Sequence, residues 1–308
     1  MPPRQAYVKY PPETLTLMEA PEPESRYYDS HMHTALCKHA WGLPEEYAEI
    51  GKRRGLSGVI FTCHSPMPRG FWPHVRMDEA QFDEYVAMVE RCRDHYQGVM
   101  DVRLGMETDY FPGFEDWVQE LHNRADFHYV LGSVHWQGPE YHARFGQGSA
   151  DDFRRSYWEN LAASAETGLF DCLAHPDLIK NYRASEWSFE PWQETIASSL
   201  DRIAKTGVAM ELNTSGFHKS YQQMNPSLAM LQMMRERNIP VVIGSDSHKP
   251  LRVGENFVGA LEKLQRAGFE SVRIFEHRKP KDLAIASLLP RLKAAALRLA
   301  DEPMFFAA

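Results

Sequence analysis

Hydrophobic runs of four to six residues recur along the chain, and six of them lead into a side chain able to bind a metal. Tyr27-Tyr28-Asp29-Ser30 opens onto His31-Met32-His33, and Val59-Ile60-Phe61-Thr62-Cys63 onto His64. Val102-Arg103-Leu104-Gly105-Met106 precedes Glu107, and Tyr129-Val130-Leu131-Gly132-Ser133-Val134 precedes His135. Phe170-Asp171-Cys172-Leu173-Ala174 stops at His175, and Val241-Val242-Ile243-Gly244-Ser245 at Asp246-Ser247-His248. Short, near-continuous apolar runs of this kind suit strands buried on both faces. A seventh strand is predicted over 208–213, ending on Asn213.

Helical patterns fill the intervals. Pro44-Glu45-Glu46 opens one that Gly55 ends, with proline suited to a first helical turn. Others are predicted over 78–96 with Asp78 as N-cap, 114–123, 151–166 from Asp151-Asp152, 191–205, 226–237 from Pro226, 255–267 and 281–300. Strands alternating with helices predict an α/β fold with a parallel sheet. With no linker inside 26–280, one closed barrel is expected over residues 26–308, preceded by a Pro- and Glu-rich arm at 1–25. In such a barrel the carboxyl ends of the strands share one mouth. The six ligand-bearing ends would then converge, and Asn213 would face substrate.

The spacing within two of these ends carries chemistry. His31-x-His33 has period two, so on an extended chain both imidazoles face one side and can share an ion. Asp246-x-His248 repeats this with a hard oxygen and an imidazole, a mixture that suits zinc, manganese or iron. Glu107 offers two acceptor oxygens and is the residue best able to bridge two cations. Taken singly, each motif also fits a capping acid or a hydrogen-bonded structural histidine. The joint placement of His31, His33, His39, His64, His135, His175 and His248 at strand ends argues against that reading.

Composition narrows the classes. A 43% hydrophobic and 25% charged chain of 308 residues can bury a large core. A net charge of −8 disfavours general nucleic-acid binding. Four cysteines (37, 63, 92 and 172) show no CxxC pair, which favours a reducing compartment. No membrane-length apolar run or signal core is seen, so a cytoplasmic protein is expected. Oligomeric state is not legible.

These segments together resemble the PHP (polymerase and histidinol phosphatase) superfamily, and within it the histidinol-phosphate phosphatases. His31-Met32-His33-Thr34-Ala35-Leu36-Cys37-Lys38-His39-Ala40-Trp41-Gly42 is similar to the family's opening motif, and Phe61-Thr62-Cys63-His64-Ser65-Pro66-Met67 to its second. Gly105-Met106-Glu107-Thr108-Asp109-Tyr110-Phe111-Pro112-Gly113, Gly132-Ser133-Val134-His135-Trp136, Leu173-Ala174-His175-Pro176-Asp177, Glu211-Leu212-Asn213-Thr214-Ser215-Gly216 and Gly244-Ser245-Asp246-Ser247-His248-Lys249-Pro250 follow in the family's order. The match covers about residues 27–260.

The resemblance implies a distorted (β/α)7 barrel and three divalent ions, identity open among Zn, Fe and Mn. It assigns His31, His33, Glu107 and Asp246 to one ion. Glu107 would bridge to a second held by His135 and His175, and His39, His64 and His248 would hold the third. It further implies histidine biosynthesis and hydrolysis of L-histidinol phosphate, here expected through in-line attack by a metal-bridging hydroxide. Glu107, Asp246 and His248 are the expected catalytic residues, the last two as candidate proton relays. No Asp-x-Asp nucleophile lies near the N-terminus, and no arginine stands six residues after Cys37, so neither offers a covalent route.

Arg76, Arg183, His218, Lys219 and Arg252 are candidate phosphate grips, each with a solvated surface cation as the plainer reading. Phe71-Trp72-Pro73-His74 follows His64 in a loop expected over the mouth, placed to stack on an imidazole or merely to pack. Where the phosphatases often read Gly-Leu-Arg-Lys, this chain reads Gly216-Phe217-His218-Lys219, a weaker and pH-dependent grip at His218. The alternatives are another small phosphate ester (a nucleotide or phosphotyrosine), an amidohydrolase-type C–N hydrolase, or a non-catalytic PHP module.

Overall fold

The seven apolar runs become seven parallel strands in sequential order. They are β1 (Tyr28–Asp29), β2 (Gly58–Phe61), β3 (Asp101–Asp109), β4 (Tyr129–Ser133), β5 (Cys172–Leu173), β6 (Ala209–Asn213) and β7 (Val241–Gly244). Each pairs only with its sequence neighbour within the sheet, and a single bridge, Met32 with Ser247, joins the two ends. His33 N donates to Ser247 O at 2.9 Å and Ser247 N to His31 O at 3.2 Å. The computed structural model describes residues 26–301; the arm expected at 1–25 lies outside the described residues.

Asp29 draws the ends of the barrel together. Its Oδ1 accepts from Ser245 N at 3.0 Å and His31 N at 3.3 Å, and its Oδ2 from Gly254 N at 2.7 Å and from Ser245 Oγ. Burial raises its pKa to about 6 against these donors. The carboxylate of β1 therefore fixes the backbone of the segment that follows β7. Both of these segments deliver ligand-type residues.

Helices α1 (Pro44–Arg53), α2 (Phe82–His95), α3 (Glu115–His122), α4 (Pro139–Phe145), α5 (Ala150–Glu166), α6 (Gln193–Ala204), α7 (Leu228–Glu236), α8 (Phe257–Arg266) and α9 (Ile285–Asp301) surround the strands. α1 follows its sequence signals, with Pro44 at its start, acids in the first turn and Lys52 and Arg53 in the last. The α5 start differs from expectation. Ser149, not the Asp151-Asp152 pair, caps it: Ser149 Oγ accepts from Asp152 N at 3.1 Å, while Asp152 Oδ2 accepts from Ser149 N at 3.0 Å. Ser227 likewise caps α7, leaving Pro226 outside it.

One region contradicts the sequence reading. Residues 281–284 are not helical. They belong to an antiparallel hairpin of β8 (Ser271–Glu276) and β9 (Lys279–Ala284), and α9 begins only at Ile285. Lys279-Pro280-Lys281-Asp282 carries almost no apolar pattern, because only one β9 residue is buried. Among the described residues no helix is long and apolar enough to cross a membrane.

Candidate metal centre

Glu107, near the end of β3, occupies the middle of the mouth and is almost wholly buried. Its two oxygens face different histidines. Oε2 lies 2.9 Å from His64 Nδ1, 3.3 Å from His31 Nε2 and 3.5 Å from His33 Nε2. Oε1 lies 3.1 Å from His175 Nε2 and 3.5 Å from His135 Nε2, and accepts from Ser133 Oγ. A parallel bridge between His64 and Glu107 sets this register through the backbone.

Asp246 forms the second focus. Its Oδ1 lies 3.2 Å from His33 Nε2, 3.4 Å from His248 Nδ1 and 3.8 Å from His31 Nε2. Its Oδ2 accepts from Ser215 Oγ at 2.9 Å and from Lys219 Nζ at 3.3 Å. His39 reaches in from the turn after His33, with its ring centroid 4.4 Å from that of His248 and 5.4 Å from that of His64. All nine expected ligands therefore meet at one rim. His175 and Asp246 both adopt positive φ, at 29° and 49°. Conformations of this kind cost energy and cluster at functional sites.

The grouping of the third set is less tidy than the resemblance implies. His64 falls with Glu107 and His135 in one group whose donor atoms lie within 4.8 Å, and with His33 and His248 in another. His248 also groups with His39 and Cys37.

The electrostatics suit ions. Burial alone would protonate Glu107, but His64, His31 and His135 hold its carboxyl well below the usual range. Against the same opposition, Lys219 and His31 hold Asp246 low. Burial, reinforced by His33, lowers His64 to about 4 despite Glu107. His31 Nε2, His33 Nε2, His248 Nε2 and Glu107 Oε2 are buried without a hydrogen-bond partner. Unsatisfied buried groups of this kind are costly unless a cation meets them. The donor set therefore fits divalent ions.

A supporting layer escaped the sequence reading. Glu211 of β6 accepts at Oε1 from His31 Nδ1 (2.7 Å) and at Oε2 from His175 N (2.8 Å) and Asn213 Nδ2 (3.0 Å). Asp109, two residues beyond Glu107, pairs with His135 Nδ1 and with Arg76. Carboxylates at the far nitrogen fix ring orientation in metal-ligating histidines. A carboxylate at alternate positions of a ligand-bearing strand was the available signal. Gly244 makes room for this layer, since a Cβ there would stand 2.1 Å from Glu211 Oε1 and 2.6 Å from His31 Cβ.

The substrate candidates fare differently from the ligands. Above the cluster opens a cavity of about 250 Å³ walled by His39, His64, His135, His175, Asp246, His248, Trp72, Val75, Gln137, Leu178 and Lys219. Among the described residues, Lys219 is the only lysine or arginine on its wall. Arg76 is instead buried, donating to Ser65 O, Trp72 O and Asp109. Arg183 is exposed and pairs with Glu186. His218 and Arg252 both turn to Glu255, at 2.8 and 3.3 Å. Asn213 is fully buried and serves Glu211 and Ser215 rather than the cavity. Of the mouth loop, Trp72 reaches the cavity, while Phe71 packs against Phe111 and Phe114.

A parallel seven-stranded barrel with an ionisable cluster at its carboxyl rim defines a metal-dependent barrel enzyme. More narrowly, the chain belongs to the PHP domain family, whose model matches residues 29–215. It is 37% identical over 257 residues to a probable histidinol-phosphatase of Deinococcus radiodurans, covering 82% of this chain and 97% of that protein. A histidinol-phosphatase of Bacillus subtilis is 26% identical, covering 76% and 98% respectively. The crystal structure of histidinol phosphate phosphatase from Lactococcus lactis, complexed with zinc, L-histidinol and phosphate, shares the fold with a TM-score of 0.71. It is 18% identical and covers 83% of this chain and 99% of that one.

Proposed function

We propose that this protein is a metal-dependent phosphomonoesterase that hydrolyses L-histidinol phosphate to L-histidinol and phosphate. The observation that carries the reading is the division of Glu107 between His31, His33 and His64 on one oxygen and His135 and His175 on the other. That geometry supports a carboxylate shared by two ions. His31, His33 and Asp246 complete one site, His135 and His175 the second, and His39, His64 and His248 the third. Bound zinc, iron or manganese there would lower the pKa of coordinated water toward about 7 and neutralise phosphoryl oxygens.

The chain's own residues supply orientation. Lys219, 3.3 Å from Asp246, is the cation available to a phosphate oxygen in the cavity. Trp72 offers an aromatic edge beside His135, with ring centroids 6.2 Å apart, where the substrate imidazole would rest. Asp246 and His248 share the wall with Lys219, and either could relay a proton to the leaving alkoxide only while free of metal. A cytoplasmic setting belongs to the same reading, and the four free, buried cysteines fit it.

The test compares kcat/KM for L-histidinol phosphate, a nucleoside bisphosphate, phosphotyrosine and p-nitrophenyl phosphate, before and after chelation, with elemental analysis alongside. Histidinol phosphate should lead, and chelation should abolish turnover. If it were no better than p-nitrophenyl phosphate, the substrate assignment would fall. Preference for either other ester would name its replacement.

A further inference from the structure

Beneath the rim cluster lies a donor group that the proposed ion set does not use. Cys37 Sγ, Cys63 Sγ and a ring nitrogen of His33 lie within 4.8 Å of one another, and all three residues are fully buried. Cys37 ends the short 3-10 turn Ala35–Cys37 between His33 and His39, and Cys63 immediately precedes His64. Both thiols are free, with Thr34 Oγ1 donating to Cys63 Sγ at 3.2 Å. His33 directs Nε2 to Asp246 and Glu107, while its Nδ1 is buried without a hydrogen-bond partner.

Buried cysteine is often simple core filling. Cys92 and Cys172 match that description, since neither joins a donor group among the described residues. Cys37 and Cys63 differ because both sulfurs lie beside the His33 ring, whose Nδ1 has no hydrogen-bond partner outside this trio. Cys37 also groups with His39 and His248, and both of those line the open cavity.

We propose that Cys37, Cys63 and His33 form a binding site for a soft, thiophilic cation such as Cd2+. Two thiolates and an imidazole favour soft ions, whereas the carboxylate-rich rim favours harder ones. As two metal–sulfur bonds form, both thiol protons pass to solvent and no electrons are transferred. His33 belongs to both groups: as a soft ion takes Nδ1, the ring proton passes to Nε2, which can then no longer bind a rim ion, and whatever reaction the rim performs is inhibited.

The experiment titrates the full-length protein, its native metals in place, with CdCl2. It follows thiolate-to-cadmium charge-transfer absorption in the ultraviolet and proton release in weak buffer. The band should saturate at one ion per chain with two protons released. It should vanish in Cys37→Ser and in Cys63→Ser, yet persist in the double variant Cys92→Ser/Cys172→Ser. No band in the unaltered protein would overturn the site, as would a band kept in Cys37→Ser/Cys63→Ser. Loss of the band in a Cys92→Ser/Cys172→Ser protein shown by circular dichroism to be folded would overturn it too. Because the readout is spectroscopic, its failure leaves the phosphatase reading standing.

Discussion

Glu211 Oε1 lies 2.7 Å from His31 Nδ1, so one carboxylate fixes the ring whose other nitrogen faces Glu107 and Asp246. The same group accepts from His175 N and Asn213 Nδ2. Replacing such a partner typically costs about 10–100-fold in metal affinity or activity. Glu211→Gln should fall in that range. A glutamine would place an amide donor where donors already converge. Metal content after dialysis, measured beside kcat, checks this, and unchanged retention would remove Glu211 from the positioning role.

Gly244 tests the same contact from the other side. Gly244→Ala drives a methyl group against Glu211 Oε1 and His31 Cβ. Overpacking of this kind costs about 1–3 kcal/mol, seen as a lower denaturant midpoint, and activity should drop further than stability alone explains. Wild-type kinetics in the folded variant would show that the strand moves aside freely.

Removing Glu107 should affect two ions at once. Elemental analysis of Glu107→Ala should show loss from two sites, while Asp246→Ala should lose chiefly one. An unchanged metal stoichiometry in Glu107→Ala would contradict a shared carboxylate.

The cationic residues should separate by location. Lys219→Met should raise KM by about tenfold, the scale of one lost charged contact of about 1.4 kcal/mol. His218→Ala should change little, because that ring is exposed and turned to Glu255. Arg76→Met should behave chiefly as a stability variant, since it removes the guanidinium partner of buried Asp109 and leaves it only His135, at a cost of up to about 3–5 kcal/mol. Steady-state kinetics paired with thermal unfolding distinguishes the three.

Acid should weaken the fold from outside the site. Burial, with Arg278 adding repulsion, lowers His122 to about 3, and burial with Arg103 lowers His128 to about 4. Both rings are neutral when folded but protonate near the ordinary histidine pKa when unfolded. The unfolded chain thus binds more protons below pH ~6.5, and stability is lost as pH falls from there toward 4 and 3. Urea midpoints between pH 7 and 4.5 should decline, with a shallower decline in His122→Phe. Parallel slopes would show that His122 does not set the dependence.

The sequence by itself determined the seven strands and the residues on which they end. Alternation of apolar runs with helical segments is a local signal, and parallel strands put their carboxyl ends on one rim whatever the loops do. For the same reason His31, His33, Glu107 and Asp246 were legible as candidate ligands. The hairpin at 271–284 was not, because its second strand buries only Leu283 and leaves no periodic trace. Charge and residue type do not say which way a side chain turns. Only the tertiary structure decided that Arg76, Arg252 and His218 are spent on Asp109 and Glu255, that Lys219 alone among the described lysines and arginines walls the cavity, and that Glu211 stands behind His31. Apart from Arg252 and Glu255, three positions apart, these are contacts between residues tens to hundreds of positions apart, set by packing and not by any pattern a short stretch of chain can carry.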